Sequence, residues 1–192
     1  MSMNKRLFAV ALGLSLFMSL AACSNQQSPS DSSQENASTS EGVSPSDSET
    51  NLDFPGSYIV PDGWVKMEKY STEDKIFYAE EGHEEDELPD NISVEVKTNR
   101  YSAEDHMEFR DAIVRQLTMQ ASRVGAELTG EGTFTDQEDV LYIFTISEED
   151  VVTKQFYIVG DKRYCLIHLT NFTGSESADE AAQAMADSFV WN

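Results

Sequence analysis

Residues 140–169 constrain the fold more than any other stretch of the chain. Val140-Leu-Tyr-Ile-Phe-Thr-Ile146 is apolar on both faces of a period-two pattern, which predicts a central strand. Residues 151–159 and 163–169 are also strand-like, and they flank Gly160-Asp161, a short turn pair of the hairpin kind. Consecutive strands joined this tightly run antiparallel. Upstream, Ile92, Val94 and Val96 interleave with Ser93, Glu95 and Lys97, so a further strand has one wet face. Residues 64–67 and 75–79 read as an earlier, shorter hairpin pair.

Two helices interrupt these strands. Ser102-Ala-Glu-Asp105 has the form of a capping box, with acids near the positive end of the helix that follows. Met107, Ile113, Val114, Leu117, Ala121 and Val124 then make a stripe at helical spacing, and Gly125 suits the stop. The second helix is expected near Ser177, with Glu180 three residues on, through Ala181, Ala184 and Met185 to Ser188. Phe189-Val190-Trp191 closes the chain, and burial against the body is expected, since three exposed apolar residues are a liability. The order of elements predicts an α+β domain, an antiparallel β-sheet with helices packed on it, over residues 53–192.

What precedes residue 53 is of another kind. Residues 24–52 hold ten Ser and five acids, no base, and only Ala37, Val43 and Leu52 as apolar side chains. Such a segment cannot bury enough surface to offset the entropy of ordering, so it reads as a disordered tether. As a flexible coil its ends would stand about 30 Å apart. Residues 1–22 carry Lys5 and Arg6 and then an apolar run from 7 to 20. That run is shorter than the ~20 residues a membrane span needs, and it ends in small residues, the pattern of an export signal peptide.

Leu20-Ala21-Ala22-Cys23 resembles the bacterial lipobox. The resemblance implies a diacylglyceryl group on the Cys23 thiol and a mature chain held by lipid at the extracytoplasmic face of the cell membrane. One acyl chain anchors only marginally, at about 0.8 kcal/mol per buried CH₂; lipoprotein processing supplies two or three chains. Ser24 does not resemble an inner-membrane retention signal, and the long tether suits a Gram-positive surface.

The chain of 192 residues has 13 Lys and Arg against 35 Asp and Glu. With Lys5 and Arg6 in the signal, eleven bases remain beyond it and the net charge there is −24. That acidity argues against nucleic acid and against lying flat on anionic lipid.

The string Tyr58-Ile-Val-Pro-Asp-Gly-Trp64, the Ser102-started helix, the 140–169 meander and Ala186-Asp-Ser-Phe189 together resemble the PsbP/Mog1-like (DcrB-like) domains of bacterial lipoproteins. The resemblance spans nearly all of residues 54–192. It implies an α/β/α sandwich and a role in assembly or docking rather than catalysis. By itself, Pro61-Asp-Gly-Trp64 is a turn feeding an aromatic core residue.

Candidate chemistry is sparse. In the loop Glu80, Glu81, Gly82, His83, Glu84, Glu85, Asp86, Glu87, seven of eight residues are acidic or His. It could hold a divalent cation or dock a basic partner, although it lacks the alternating ligands of an EF-hand loop and has no second His. A solvated acidic loop is the plainer reading. With Cys23 committed to lipid, Cys165 is alone; alternating with Ile167 and Leu169, it reads as a small buried hydrophobe. His168, three residues on, should face the opposite way, on the side of Tyr164 and Leu166, partly buried and hydrogen-bonded. His106 reads as a surface residue, and Tyr58, Trp64, Tyr70 and Tyr78 as core or rim aromatics. No Gly-x-Ser-x-Gly occurs, and Gly130-Glu-Gly132 lacks the Lys and helix of a phosphate loop. Asn91-Ile-Ser and Asn171-Phe-Thr match the glycosylation pattern but are discounted beside a bacterial lipobox.

The leading expectation is a lipid-anchored, non-enzymatic module of the bacterial envelope that binds a protein or small ligand, with no cofactor beyond the Cys23 lipid. The alternatives are a metal-binding envelope protein using residues 80–87 and a hydrolase built around His168.

Overall fold

The computed structural model describes residues 54–149 and 151–192. The residues read above as an export signal and a tether, and Cys23 between them, lie outside the described ones. In chain order come β1 (Gly56–Ser57), β2 (Trp64–Lys66), β3 (Lys75–Glu80), β4 (Asn91–Thr98), α1 (His106–Val124), β5 (Glu127–Phe134), β6 (Val140–Glu148), β7 (Val151–Gly160), β8 (Arg163–Asn171), α2 (Glu176–Asp187) and β9 (Val190–Trp191). β2 to β8 form one antiparallel sheet in the order β2-β3-β4-β8-β7-β6-β5, and β1 pairs with β9 beside it. The predicted class is the observed one: α+β, with a helix on each face of the sheet.

Both faces of the sheet are apolar, each for one helix. On the first, Ile92, Val94, Phe156, Ile158, Ile167 and Leu169 pack under α2, which contributes Ala178, Ala181, Ala182, Met185 and Ala186. Small residues on α2 allow the helix to approach the sheet closely; Ala184, expected in that stripe, faces solvent. Phe189 is fully buried, and β9 folds the tail back onto β1 as anticipated. Gly56 is required there, because a Cβ at that position would lie 2.3 Å from the Phe189 ring.

On the second face, α1 lays Phe109, Ile113 and Leu117 against Tyr142, Phe144, Tyr157, Val159 and Leu166, and Ala121 of the same helix is also buried. The Ser102 capping box is present: the Ser102 hydroxyl accepts from the Asp105 N–H, and the Asp105 carboxylate accepts from the Ser102 N–H. Gly125 closes the helix at φ 73°. The stripe itself differs from the expected one at its start. Met107 is 57% exposed and Phe109 2% exposed: Phe109, Ile113, Leu117 and Ala121 recur every four residues along one side of the helix, and Met107, two residues before Phe109, projects from the other side.

Two features of the sheet depart from the sequence reading. β6, expected at the centre, lies one strand from the edge, and β8 takes the middle position. The strand outside it, β5, was not anticipated. Its sequence Glu-Leu-Thr-Gly-Glu-Gly-Thr-Phe is polar and broken by glycines, which weaken a strand signal. The glycines are used by β6: a Cβ on Gly130 would lie 2.6 Å from the Phe144 ring and one on Gly132 3.1 Å from the Tyr142 ring. The two rings therefore lie over the bare backbone of β5, an interaction in which aromatics compensate for edge glycines. Gly130→Val is expected to cost about 2 kcal/mol by overpacking Phe144 despite its better strand propensity, read as a lowered urea midpoint at unchanged m-value.

Candidate functional site

The α1 face of the sheet is not apolar throughout. Strand register sets Phe77, Ser93, His168 and Gln155 in one row across β3, β4, β8 and β7. The next row is Lys75, Glu95, Leu166 and Tyr157. Residues opposite one another in an antiparallel ladder share a face, so these side chains form one contiguous polar patch. Its polar members Lys75, Ser93, Glu95, Gln155 and His168 lie on β3, β4, β7 and β8, and Tyr157 and Leu166 join it to the residues packed under α1.

Glu95 is the electrostatic centre of the patch. It is 6% exposed, and its carboxylate lies 3.7 Å from the Lys75 ammonium and 3.0 Å from that of Lys97. The wet face that the alternation of β4 implied is thus partly closed over, and its charges are compensated rather than solvated. Burial pushes the Lys75 ammonium below its ordinary value, and Glu95 opposes that shift. Tyr157 donates from its hydroxyl to the Gln155 side-chain carbonyl at 2.6 Å, and burial raises its pKa. Tyr164 is pushed up to about 12 by burial, with Glu95 adding to the effect.

His168 stands apart from this network. The residue is half-buried, and both ring nitrogens are buried with no hydrogen-bond partner among the described residues. Burial, followed by the Lys75 charge, lowers its pKa from 6.5 to about 4, so the ring is neutral near pH 7. The predicted partial burial is observed; the predicted hydrogen bond is not. Gln155, its cross-strand neighbour, has its side-chain carbonyl engaged by Tyr157. A buried polar group without a partner costs about 1–3 kcal/mol, and such groups are rare enough that each calls for a reason. Ser93 is directly opposite His168 in the ladder, but with no bond to either ring nitrogen there is no nucleophile–base pair of the kind a hydrolase uses.

The remaining sequence candidates are dispersed. Cys165 is fully buried on the α2 face with its thiol pushed up by burial, opposite in direction to His168, as its spacing implied. His106, expected at the surface, is half-buried; its Nδ1 is hydrogen-bonded to the Tyr142 hydroxyl at 2.7 Å. In the acidic loop, Glu80, Glu81, His83, Glu85, Asp86 and Glu87 are exposed and Glu84 is half-buried. His83 Nδ1 lies 2.8 Å from Asp86 Oδ2, and that contact raises the His83 pKa. Among the described residues, no three His, Cys, Asp or Glu side chains are grouped so as to hold a metal ion.

Sequence reasoning passed over the polar residues with the most structural work. Asp90, at the end of that loop, accepts from the N–H groups of Phe172 and Thr173 and from the Thr173 hydroxyl. Asn171 is 3% exposed, and its side-chain oxygen accepts from the Gly174 and Ser175 N–H groups. The Asn171-Phe-Thr string is therefore a loop brace before α2. An Asp or Asn beside a strand end is a turn signal in sequence, but its partners 82 and 83 residues away are not.

Among the described residues, no helix is long and apolar enough to cross a membrane. No protein-family model and no curated protein matches the chain. Solved structures similar to it include the cyanobacterial PsbP (CyanoP) of Synechocystis sp. PCC 6803, at 13% identity and a TM-score of 0.46, covering 74% of this chain and 89% of that one. Another is a protein of Bacteroides thetaiotaomicron VPI-5482, at 14% identity and a TM-score of 0.40, covering 72% of this chain and 45% of that one.

Proposed function

We propose that the protein is a lipid-anchored, extracytoplasmic, non-enzymatic binding module of the bacterial envelope, tethered through Cys23 and binding its ligand at the polar patch around His168. The observation that carries the binding site is the pair of buried, unpartnered ring nitrogens of His168 in the middle strand of the sheet. An apolar residue there would be cheaper to bury, so the imidazole is retained at a cost that a bound hydrogen-bonding ligand would offset. Ser93, Glu95, Lys75 and Lys97 beside it supply further donors and acceptors. The absence of a hydrogen bond between Ser93 and His168, and the burial of Cys165 on the other face, favour binding over catalysis. The anchor rests on the lipobox string alone.

The test has two arms. Palmitate labelling in the native host should mark the chain and fail in Cys23→Ala; equal labelling would remove the anchor. Affinity purification from detergent-solubilised membranes, analysed by native mass spectrometry, should recover a stoichiometric protein or small molecule with the wild-type chain and lose it with His168→Leu. Recovery that is identical for both, or absent from both, would remove the site.

A further inference from the structure

The two edges of the main sheet are unlike. β2 has three residues and follows the turn at Pro61, the usual way an edge is blunted. β5 has eight residues, contains no Pro, Lys or Arg, and pairs with β6 in unbroken register from Glu127↔Ser147 to Phe134↔Val140. No strand covers its outer side among the described residues. An open edge of this length presents a ladder of backbone donors and acceptors to an added strand.

The side chains of β5 restrict what that strand can be. Glu127, Thr129, Glu131 and Thr133 alternate with Leu128, Gly130, Gly132 and Phe134, so one face is acidic and hydroxylated and the other apolar and bare. Phe134 is 64% exposed, and the Phe144 and Tyr142 rings lie over Gly130 and Gly132 on the same face. Residues 127–139 hold Glu127, Glu131, Asp136, Glu138 and Asp139 and no base. A second copy would set these acids against themselves, since like charges across a ladder are destabilising.

We propose that β5 is a docking edge for an extended segment of a partner protein in which Lys or Arg alternates with apolar residues, adding an eighth strand to the sheet. The bases face Glu127 and Glu131, and the apolar side chains lie along Leu128, Phe134 and the Phe144 and Tyr142 rings that cover the two glycines. This surface is separate from the His168 patch and goes beyond the function proposed above.

The probe is a synthetic octapeptide of alternating Lys and Val, added to the full chain purified in neutral detergent. Hydrogen exchange should slow within residues 127–134, as it does when open backbone groups enter a ladder. Glu127→Lys/Glu131→Lys, two exposed changes, should weaken the peptide by about tenfold and bind the Glu-Val counterpart instead. His168→Leu should leave peptide affinity unchanged, so loss of the ligand site and loss of the edge are read separately. Absence of binding, protection confined to other segments such as the 80–87 loop, or an affinity indifferent to the double charge reversal would each overturn the proposal.

Discussion

Replacing His168 by Leu is expected to make the domain more stable at neutral pH and to remove a large part of its sensitivity to acid. At pH 7 the gain should be about 2 kcal/mol, the usual cost of a buried unsatisfied polar group, because both ring nitrogens of His168 are buried without partners. The pH effect follows from a pKa of about 4 in the folded state against 6.5 unperturbed. Above pH 6.5 neither state binds the proton. As pH falls from 6.5 toward 4 the unfolded chain takes it up first, so stability declines, and below pH 4 the loss is complete at about 3 kcal/mol. His83 acts in the opposite direction, since Asp86 raises its pKa, but that contribution is common to wild type and variant. Urea unfolding at pH 7 and pH 4 for both proteins gives the difference. An identical decline in the two would show that His168 is not held neutral by its surroundings. A variant that is less stable at pH 7 would show that the imbalance at its nitrogens is not real.

Asp90→Ala should act in the other direction and more locally. The carboxylate accepts from Phe172 N–H at 2.6 Å, Thr173 N–H at 3.1 Å and the Thr173 hydroxyl, and Asp90 is buried. Hydrogen bonds to an ionised acceptor contribute roughly 1.5–3 kcal/mol each but do not add when they share one group. Truncation also leaves these donors without an acceptor, so a loss of about 3–4 kcal/mol is expected. Asp90→Asn, which keeps a carbonyl oxygen, should recover about half of it. Amide exchange at Phe172 and Thr173 should accelerate more than exchange in β6 or β7, because the bracing acts on the link between β8 and α2. Uniform acceleration across the sheet would mean that Asp90 acts only through global stability.

Both sites show where reading along the chain stops. The capping box at Ser102, the left-handed Gly125 and the hairpin after β7 were legible because their physics closes within a few residues, although the hairpin's turn is Asp161-Lys162 rather than Gly160-Asp161, with Gly160 paired to Arg163 in the ladder. The apolar tail at Phe189 was legible because exposing it would be costly. The face assignment of Cys165 and His168 was legible because strand side chains alternate. β5 was not, since its polar, glycine-broken sequence becomes a strand through rings supplied by β6. The start of the α1 stripe was missed: the expected stripe begins at Met107 in place of Phe109, which stands four residues before Ile113 on the buried side. The patch could not be seen as a cluster: Lys75, Glu95, Gln155 and His168 meet only once β3, β4, β8 and β7 are in register.

The sequence by itself therefore determined the α+β class, the antiparallel meander and the helix boundaries to within a turn, because hydrophobic period and capping are local properties. The tertiary structure decided the order of strands, the open edge at β5 and the unpartnered state of His168. Those depend on β8 leaving the meander to pair with β4, about seventy residues earlier in the chain, a choice made by burial of two faces at once and written in no single segment.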